Sequence, residues 1–364
     1  MEHLTGKIEE RVRVNASRSY DILIGRGLLR DAGRLSKTVV TPRSAVLVTD
    51  DTVNALYGEI TEDALRNAGF RVHRIVFPHG EQSKTIESYT RLLTFCLEKN
   101  ITRSDCLFAL GGGVIGDLTG FAAATLLRGV PFIQIPTTLL AMVDSSVGGK
   151  TGVDHPMGKN LIGAFWQPSL VICDPTLLDT LPPEILSDGY AEVIKYAVIQ
   201  DRPLFDRLKN PIRDQIEAVI AECIKHKRDI VAMDERDCGC RQLLNLGHTL
   251  GHAVESLSSF TISHGSAVAI GINLIASAAQ KRSMLSYKEL LEIRTMLTSY
   301  GLPISCPYEA SSLFSVATSD KKRSGDEITL VIPYSIGDSR LMKIPVTELE
   351  AFISDALTGM REDL

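Results

Sequence analysis

No stretch of about twenty consecutive apolar residues occurs in this chain of 364 residues, so nothing in it reads as a membrane-spanning helix. Basic charge is not in excess either: 39 Lys and Arg against 44 Asp and Glu leave −5, with no field to attract nucleic acid. The opening Met-Glu-His-Leu-Thr-Gly-Lys lacks a charged-then-apolar signal segment. Seven cysteines are an odd number, scattered through apolar segments such as Phe95-Cys96-Leu97 and Val171-Ile172-Cys173. They read as reduced core thiols in a cytoplasm rather than as a disulfide framework. The one close pair, Cys238-Gly-Cys240, has no second pair to complete a metal site. Repeats and low-complexity segments are also absent. What remains is the composition of a soluble α/β protein, 44% hydrophobic and 23% charged, long enough for two domains.

The most informative stretch runs from Arg241 to Glu255 (RQLLNLGHTLGHAVE). As a helix it would place Arg241, Asn245, His248, His252 and Glu255 at alternating steps of four and three, hence on one face, with Leu243, Leu246, Leu250 and Val254 elsewhere. Polar residues at helical spacing usually make a solvated face, but Lys and Glu fill such faces. Arg, Asn and two His are the inventory of a site that holds anions or a metal.

Before that stretch, short apolar strands alternate with helical patterns. Glu9 to Val14 and Tyr20 to Ile24 read as a hairpin; Ser44 to Thr49, Arg71 to Phe77, Cys106 to Leu110 and Phe132 to Ile135 read as further strands. Such alternation implies a parallel sheet covered by helices, with ligands beyond the carboxyl ends of the strands. From Pro182 the pattern turns helical: Pro183 to Gln200, Ile212 to Met233, the polar-striped helix, Ser266 to Lys281 and Tyr287 to Tyr300. One strand, Ile328 to Ile332, and a last helix, Val346 to Leu357, close the chain. The expected organisation is an α/β nucleotide-binding domain over 1–175, a mostly helical metal- and substrate-binding domain over 176–364, and a site in the cleft between them. The segment from Asp144 to Pro168 is too long for a plain connection, and long loops of that kind are usually functional.

Gly111-Gly-Gly113-Val-Ile-Gly116-Asp117 satisfies the dinucleotide fingerprint and stands where it should, after a strand and at the head of a helix. No acidic residue ends the following strand, which runs into Pro136-Thr-Thr, so Asp50 is the candidate for a ribose contact. Glu192 and Lys195 are the two charges of a helix otherwise apolar nearly all round. A surface pair would have a polar face around it, so Glu192 becomes a candidate metal ligand. Two histidines beside it would leave an open position on a zinc-like ion. Spacing alone favours His248 with His252, one turn apart, and leaves His264 as a competitor. Lys150, Lys159, Asn160, Lys227, Arg241, Lys321 and Lys322 are each ordinary surface residues taken singly, and together could bind phosphate and carboxylate.

Long collinear blocks of this sequence resemble the 3-dehydroquinate synthase family. They are Gly111 to Asp117, Pro136-Thr-Thr, Val143 to Phe165 (VDSSVGGKTGVDHPMGKNLIGAF), Gly189 to Lys195 (GYAEVIK) and Asn245 to Glu255 (NLGHTLGHAVE). The likeness runs from about Tyr20 to the Asp320-Lys-Lys segment and beyond; Asp237-Cys-Gly-Cys240 departs from it, since the family rarely has cysteines there. The resemblance implies a dehydroquinate synthase-like fold and a divalent metal, zinc or cobalt, on Glu192, His248 and His264, which overrules the spacing argument for His252. It implies NAD contacts at Asp50, Glu81, Lys84, Gly112, Gly113, Val114, Ile115, Gly116, Asp117, Thr137, Thr138, Lys150 and Lys159. Lys150, Lys195, Arg241, Asn245 and His252 are implied as catalytic. Asp144, Asn160, Lys227 and one of Lys321 and Lys322 are implied as substrate contacts. Arg128 resembles a residue that reaches the neighbouring subunit's site, which implies a homodimer.

The implied substrate is 3-deoxy-D-arabino-heptulosonate 7-phosphate, a phosphorylated sugar acid, and NAD is not consumed overall. Oxidation at C5 acidifies C6, phosphate leaves C7 by elimination with the substrate's own phosphate as base, and the hydride returns. Ring opening and closure onto the C2 ketone then give 3-dehydroquinate. A sister sugar-phosphate cyclase and a metal-dependent alcohol or glycerol dehydrogenase are the alternatives.

Overall fold

A computed structural model describes residues 6–41, 43–319 and 326–361. In chain order, the first 181 residues carry strands β1 (Glu10–Val14), β2 (Tyr20–Ile24), β3 (Ser44–Asp50), β4 (Arg71–Phe77), β5 (Cys106–Gly111), β6 (Phe132–Pro136), β7 (Lys150–His155), β8 (Gly158–Phe165) and β9 (Leu170–Cys173). Helices α1 (Ala32–Ser36), α2 (Asp51–Val53), α3 (Glu59–Asn67), α4 (Ile86–Glu98) and α5 (Gly113–Thr125) lie among them. Then follow α6 (Pro183–Gln200), α7 (Arg202–Arg207), α8 (Ile216–Met233), α9 (His248–Leu257), α10 (His264–Lys281), α11 (Tyr287–Ser299), α12 (Ala310–Ser319), the strands β10 (Glu327–Ser335) and β11 (Asp338–Pro345), and α13 (Val346–Arg361). No described helix is long and apolar enough to cross a membrane.

The chain divides into two compact units. One comprises 1–181 and 215–236, the other 182–214 and 237–364. The boundary at 175/176 expected from chain order therefore falls a few residues early, and α8 rejoins the first unit. An apolar face holds it there, with Val219, Ile220, Ile224 and Val231 buried, and ion pairs flank it: Glu217 accepts from Arg26 Nε at 2.6 Å, and Lys225 pairs with Glu10 at 3.7 Å.

In the first unit seven strands form one sheet in the order β1-β2-β9-β6-β5-β3-β4, parallel except for the β1–β2 hairpin. Strands β3, β5, β6 and β9 are buried almost throughout, as runs rich in Val, Ile and Leu must be when helices cover both faces. The chain leaves β3 toward β4, crosses back to β5, and then proceeds to β6 on the other side. The order reverses between β3 and β5, and in open α/β sheets the crevice at such a reversal is where ligands bind. Asp50 ends β3 and Gly111 ends β5, so both stand at that point. The segment expected as a long functional loop holds the antiparallel pair β7–β8 instead.

The second unit is mostly helical. Helix α10 is buried along nearly its whole length and is the element the others pack around. Two features differ from the sequence reading. The lone strand near residue 330 has an antiparallel partner, β11, and α12 precedes it. The polar-striped helix is not continuous either: a 3-10 turn covers Cys240–Asn245, Leu246 is extended, Gly247 takes φ 78, and α9 starts at His248. Gly247 breaks the run because α10 crosses there; a Cβ at Gly247 would lie 2.7 Å from the Val268 carbonyl oxygen.

Candidate active site

In the second unit, Glu192 on α6, His248 on α9 and His264 on α10 bring one carboxylate oxygen and two ring nitrogens within 4.8 Å of one another. Nε2 of His248 is 3.5 Å and Nε2 of His264 3.7 Å from Glu192 Oε1. A tetrahedral ion with bonds of roughly 2.0–2.1 Å separates its donors by about 3.3 Å, so the three need only a small inward movement to close on one cation. Two imidazoles and a carboxylate suit zinc or cobalt and leave a position open for substrate. The pair favoured by spacing, His248 with His252, does not join Glu192 in any such group among the described residues. His252 instead groups with Glu255 and His264.

The electrostatics fit a cation. Burial pushes the His248 imidazole down to about 3. Burial would depress His264 as well, but hydrogen bonding and charge from Glu192 and Glu255 outweigh it and raise that ring to about 10. Nδ1–H of His248 donates to the Leu246 carbonyl at 3.1 Å, the tautomer that leaves Nε2 bare toward Glu192. The other oxygen of Glu192, Oε2, lies 2.5 Å from Lys195 Nζ, with both side chains almost wholly buried.

Glycine sets this geometry. A Cβ on Gly265 would overlap the backbone of Asp188, and one on Gly271 the carbonyl of Gly247. Helix α10 therefore lies against α6 and the start of α9 at backbone contact. The Asp188 carboxylate, one turn before Glu192, accepts from Ser263 Oγ at 2.6 Å and Ser266 N at 3.0 Å, so α6 caps the helix that begins with His264. The sequence reading missed Asp188, whose signal was its i−4 spacing to Glu192, and placed Glu255 in the polar stripe, at i+3 from His252, without assigning it a role. Gly265→Ala should push His264 away from Glu192, costing about 1–3 kcal/mol as an overpacked contact. Cobalt titration beside thermal unfolding checks it; wild-type metal affinity in the variant would refute the contact's role. Arg241 is buried in the 3-10 turn, whereas Asn245 and His252 are exposed.

In the first unit, Gly112 caps α5 in an extended conformation and Gly113 begins it, with Val114 beside them and Ile115 and Gly116 buried. A Cβ on Gly112 would lie 3.1 Å from Thr138 Cγ2, and one on Gly116 2.8 Å from Gln134 Oε1. These glycines keep the helix N-terminus open and close to the sheet. Thr137 N donates to Gly111 O at 3.0 Å. Asp50 caps α2 by accepting from Val53 N at 2.8 Å, and burial raises its carboxyl. Lys84 is buried and donates at 2.6 Å to both Asp117 and Asn160. Burial works against its charge, but Asp117 and Glu81 outweigh that and raise the ammonium, while burial raises Asp117 itself. Lys159 pairs with Glu81 at 3.4 Å, and Lys227 with Asp144 at 3.0 Å. Lys150 and Arg128 are exposed, the latter at φ 66 in a left-handed turn after Leu127. Lys321 and Lys322 lie outside the described residues.

Two family models match: 3-dehydroquinate synthase N-terminal over residues 74–188 and 3-dehydroquinate synthase C-terminal over 189–323. The 3-dehydroquinate synthase of Enterococcus faecalis (strain ATCC 47077 / OG1RF) is 41% identical over 343 residues, 92% of this chain and 96% of that protein. That of Latilactobacillus sakei subsp. sakei (strain 23K) is 43% identical over 341 residues, covering 92% and 95%. Among solved structures, 2-epi-5-epi-valiolone synthase from Streptomyces hygroscopicus with NAD+ and Zn2+ bound superposes with a TM-score of 0.85 at 28% identity, covering 97% of this chain and all of the other. A glycerol dehydrogenase from Schizosaccharomyces pombe shares the fold at TM-score 0.63 and 16% identity, covering 99% and 93%.

Proposed function

The chain belongs to the 3-dehydroquinate synthase family of enzymes, and we propose that it converts 3-deoxy-D-arabino-heptulosonate 7-phosphate to 3-dehydroquinate and phosphate. Its substrate is a phosphorylated sugar-like compound, in keeping with the activity of its relatives. The observation that carries the reading is the convergence of Glu192, His248 and His264, which would hold a divalent cation. When bound, that cation supplies Lewis acidity to substrate hydroxyls, and NAD supplies a hydride acceptor that is restored within the cycle. The phosphate-facing elements for NAD are Gly112 to Asp117, with Asp50, Glu81, Lys84, Thr137, Thr138, Lys150 and Lys159 around them.

Substrate binding falls to Asp144, Lys150, Asn160, Lys227, Arg241 and Asn245. Arg241, with its planar fork, suits a carboxylate or a departing phosphate. Lys195 and His252 hold and move protons at the reacting oxygens. Arg128, exposed on its left-handed turn, reaches a second copy's site in a homodimer. The enzyme works in the cytoplasm, a reading supported by the lack of a disulfide among the described cysteines.

Identity of about two fifths to named 3-dehydroquinate synthases, against 28% to the valiolone synthase and 16% to the glycerol dehydrogenase, favours this substrate over the alternatives. Incubation with the heptulosonate phosphate and catalytic NAD should release one phosphate per 3-dehydroquinate, with no NADH absorbance accumulating. Stoichiometric NADH, or no phosphate release, would refute the assignment.

A further inference from the structure

His264 stands between two carboxylates. Its Nε2 faces Glu192 Oε1 at 3.7 Å, and its Nδ1 faces Glu255 Oε2 at 3.6 Å. Glu255 lies on α9, seven residues after His248, and is 4% exposed. A carboxylate that deep is costly unless it is matched to a donor or a charge. No cofactor or substrate role assigned above uses it. The neighbouring imidazole offers the parallel: His248 has the Leu246 carbonyl at its Nδ1 and its Nε2 toward Glu192. Each ring thus has an acceptor on the side away from Glu192, and in the second ring the acceptor carries a full charge.

We propose that Glu255 is a positioning residue for the cation site: it accepts from Nδ1–H of His264, fixes the tautomer that leaves Nε2 bare, and holds the ring's plane toward Glu192. This rests on the metal-binding reading of Glu192, His248 and His264. The effect follows from general chemistry: a carboxylate behind a metal-ligating imidazole orients it and raises its basicity, and losing such a partner typically weakens metal binding about 10–100-fold. The separation of 3.6 Å is longer than a hydrogen bond, so the Glu255 side chain must follow the ring by a few tenths of an ångström to accept its proton when Nε2 closes on a cation. The competing use of the same atoms is a second cation on His252, Glu255 and His264, whose ligand atoms also lie within 4.8 Å of one another.

The test compares wild type, Glu255→Gln and Glu255→Ala by competition of Co2+ against a chelator, with metal stoichiometry and the ring-nitrogen NMR shifts of His264 in the zinc-loaded protein. Glu255→Gln keeps an amide oxygen that can accept from Nδ1–H, so it should bind within about threefold of wild type. Glu255→Ala should bind about 10–100-fold more weakly and lose the single Nε2-bare tautomer. One metal per chain in wild type, lost in His248→Ala, tests the underlying reading separately; failure there sinks that reading and not this step alone. The positioning role is overturned if both Glu255 variants bind like wild type, if Glu255→Gln loses as much as Glu255→Ala, or if a second metal equivalent disappears with Glu255. Should the alanine variant fail to fold, Glu255→Met, which fills the same volume without an acceptor, takes its place with the same expected loss of affinity and tautomer, and wild-type binding by it overturns the role.

Discussion

His264→Ala will lose its divalent metal on dialysis and fall to background turnover, while the protein remains folded. The loss is large because a cation site with three protein ligands has no redundancy. If the binding free energy is on the order of 10–16 kcal/mol, removing one ligand of three forfeits several kcal/mol, a weakening on the order of a thousandfold. The fold survives because His264 is the first residue of α10 and its side chain is 35% exposed. The anchoring of that helix comes from Ala267, Val268, Ile272, Ile275 and Ala279, all buried, and from the Asp188 cap. Deleting the imidazole opens no core cavity, so the usual 2–5 kcal/mol cost of a large-to-small core substitution does not apply. Elemental analysis after dialysis, circular dichroism and phosphate release check the three parts. Full metal content in the variant would remove His264 from the ligand set and leave His248 and Glu192 to be explained otherwise.

The route to that site was unevenly legible. Glu192 declared itself as a charge in a helix with no polar face, and α6 has the predicted bounds, Pro183–Gln200, with Glu192 and Lys195 buried. The alternation before Pro136 likewise specifies the sheet, since runs such as Ser44 to Asp50 are apolar on both faces. Spacing within one helix, by contrast, points to His248 with His252, because periodicity cannot see that α10 crosses α9 and brings in a third histidine. Residue reading left His264 as a competitor, and only the family resemblance put it ahead of His252. The break at Gly247 is of the same kind, a tertiary contact overriding a helical pattern. Strand β11 (DSRLMKIP) is half polar and has no alternation strong enough to register, so it is recognisable only by its pairing with β10. The allegiance of α8 depends on which apolar surface its buried residues such as Ile220 and Ile224 meet, and Glu217 meets Arg26 almost two hundred residues earlier in the chain, so chain order does not reveal it.

Lys195→Met is expected to bind metal more tightly than wild type and turn over far more slowly. In the absence of metal, Lys195 is the near counter-charge of Glu192 at 2.5 Å, with side chains 2% and 1% exposed. Removing one member of such a pair typically costs about 3–5 kcal/mol, because the carboxylate is left buried. At about 2–4 °C per kcal/mol for a unit of this size, the metal-free variant should melt roughly 10 °C lower. A divalent cation restores the missing positive charge, so most of that deficit should vanish when metal is added. By linkage, what metal binding restores in stability appears as affinity, a gain on the order of 100–1,000-fold. Methionine matches the lysine stem in length, so packing contributes little to the difference. Turnover moves the other way: if Lys195 moves a proton at the reacting oxygens, its loss should cost about 10²–10⁴-fold in kcat. A lysine that served only to fill the core would lose stability equally with and without metal. Thermal unfolding in chelator and in excess Co2+, beside a metal competition titration, separates the two. Equal melting losses in both conditions, or weaker metal binding than wild type, would show that Lys195 does not oppose the cation at Glu192.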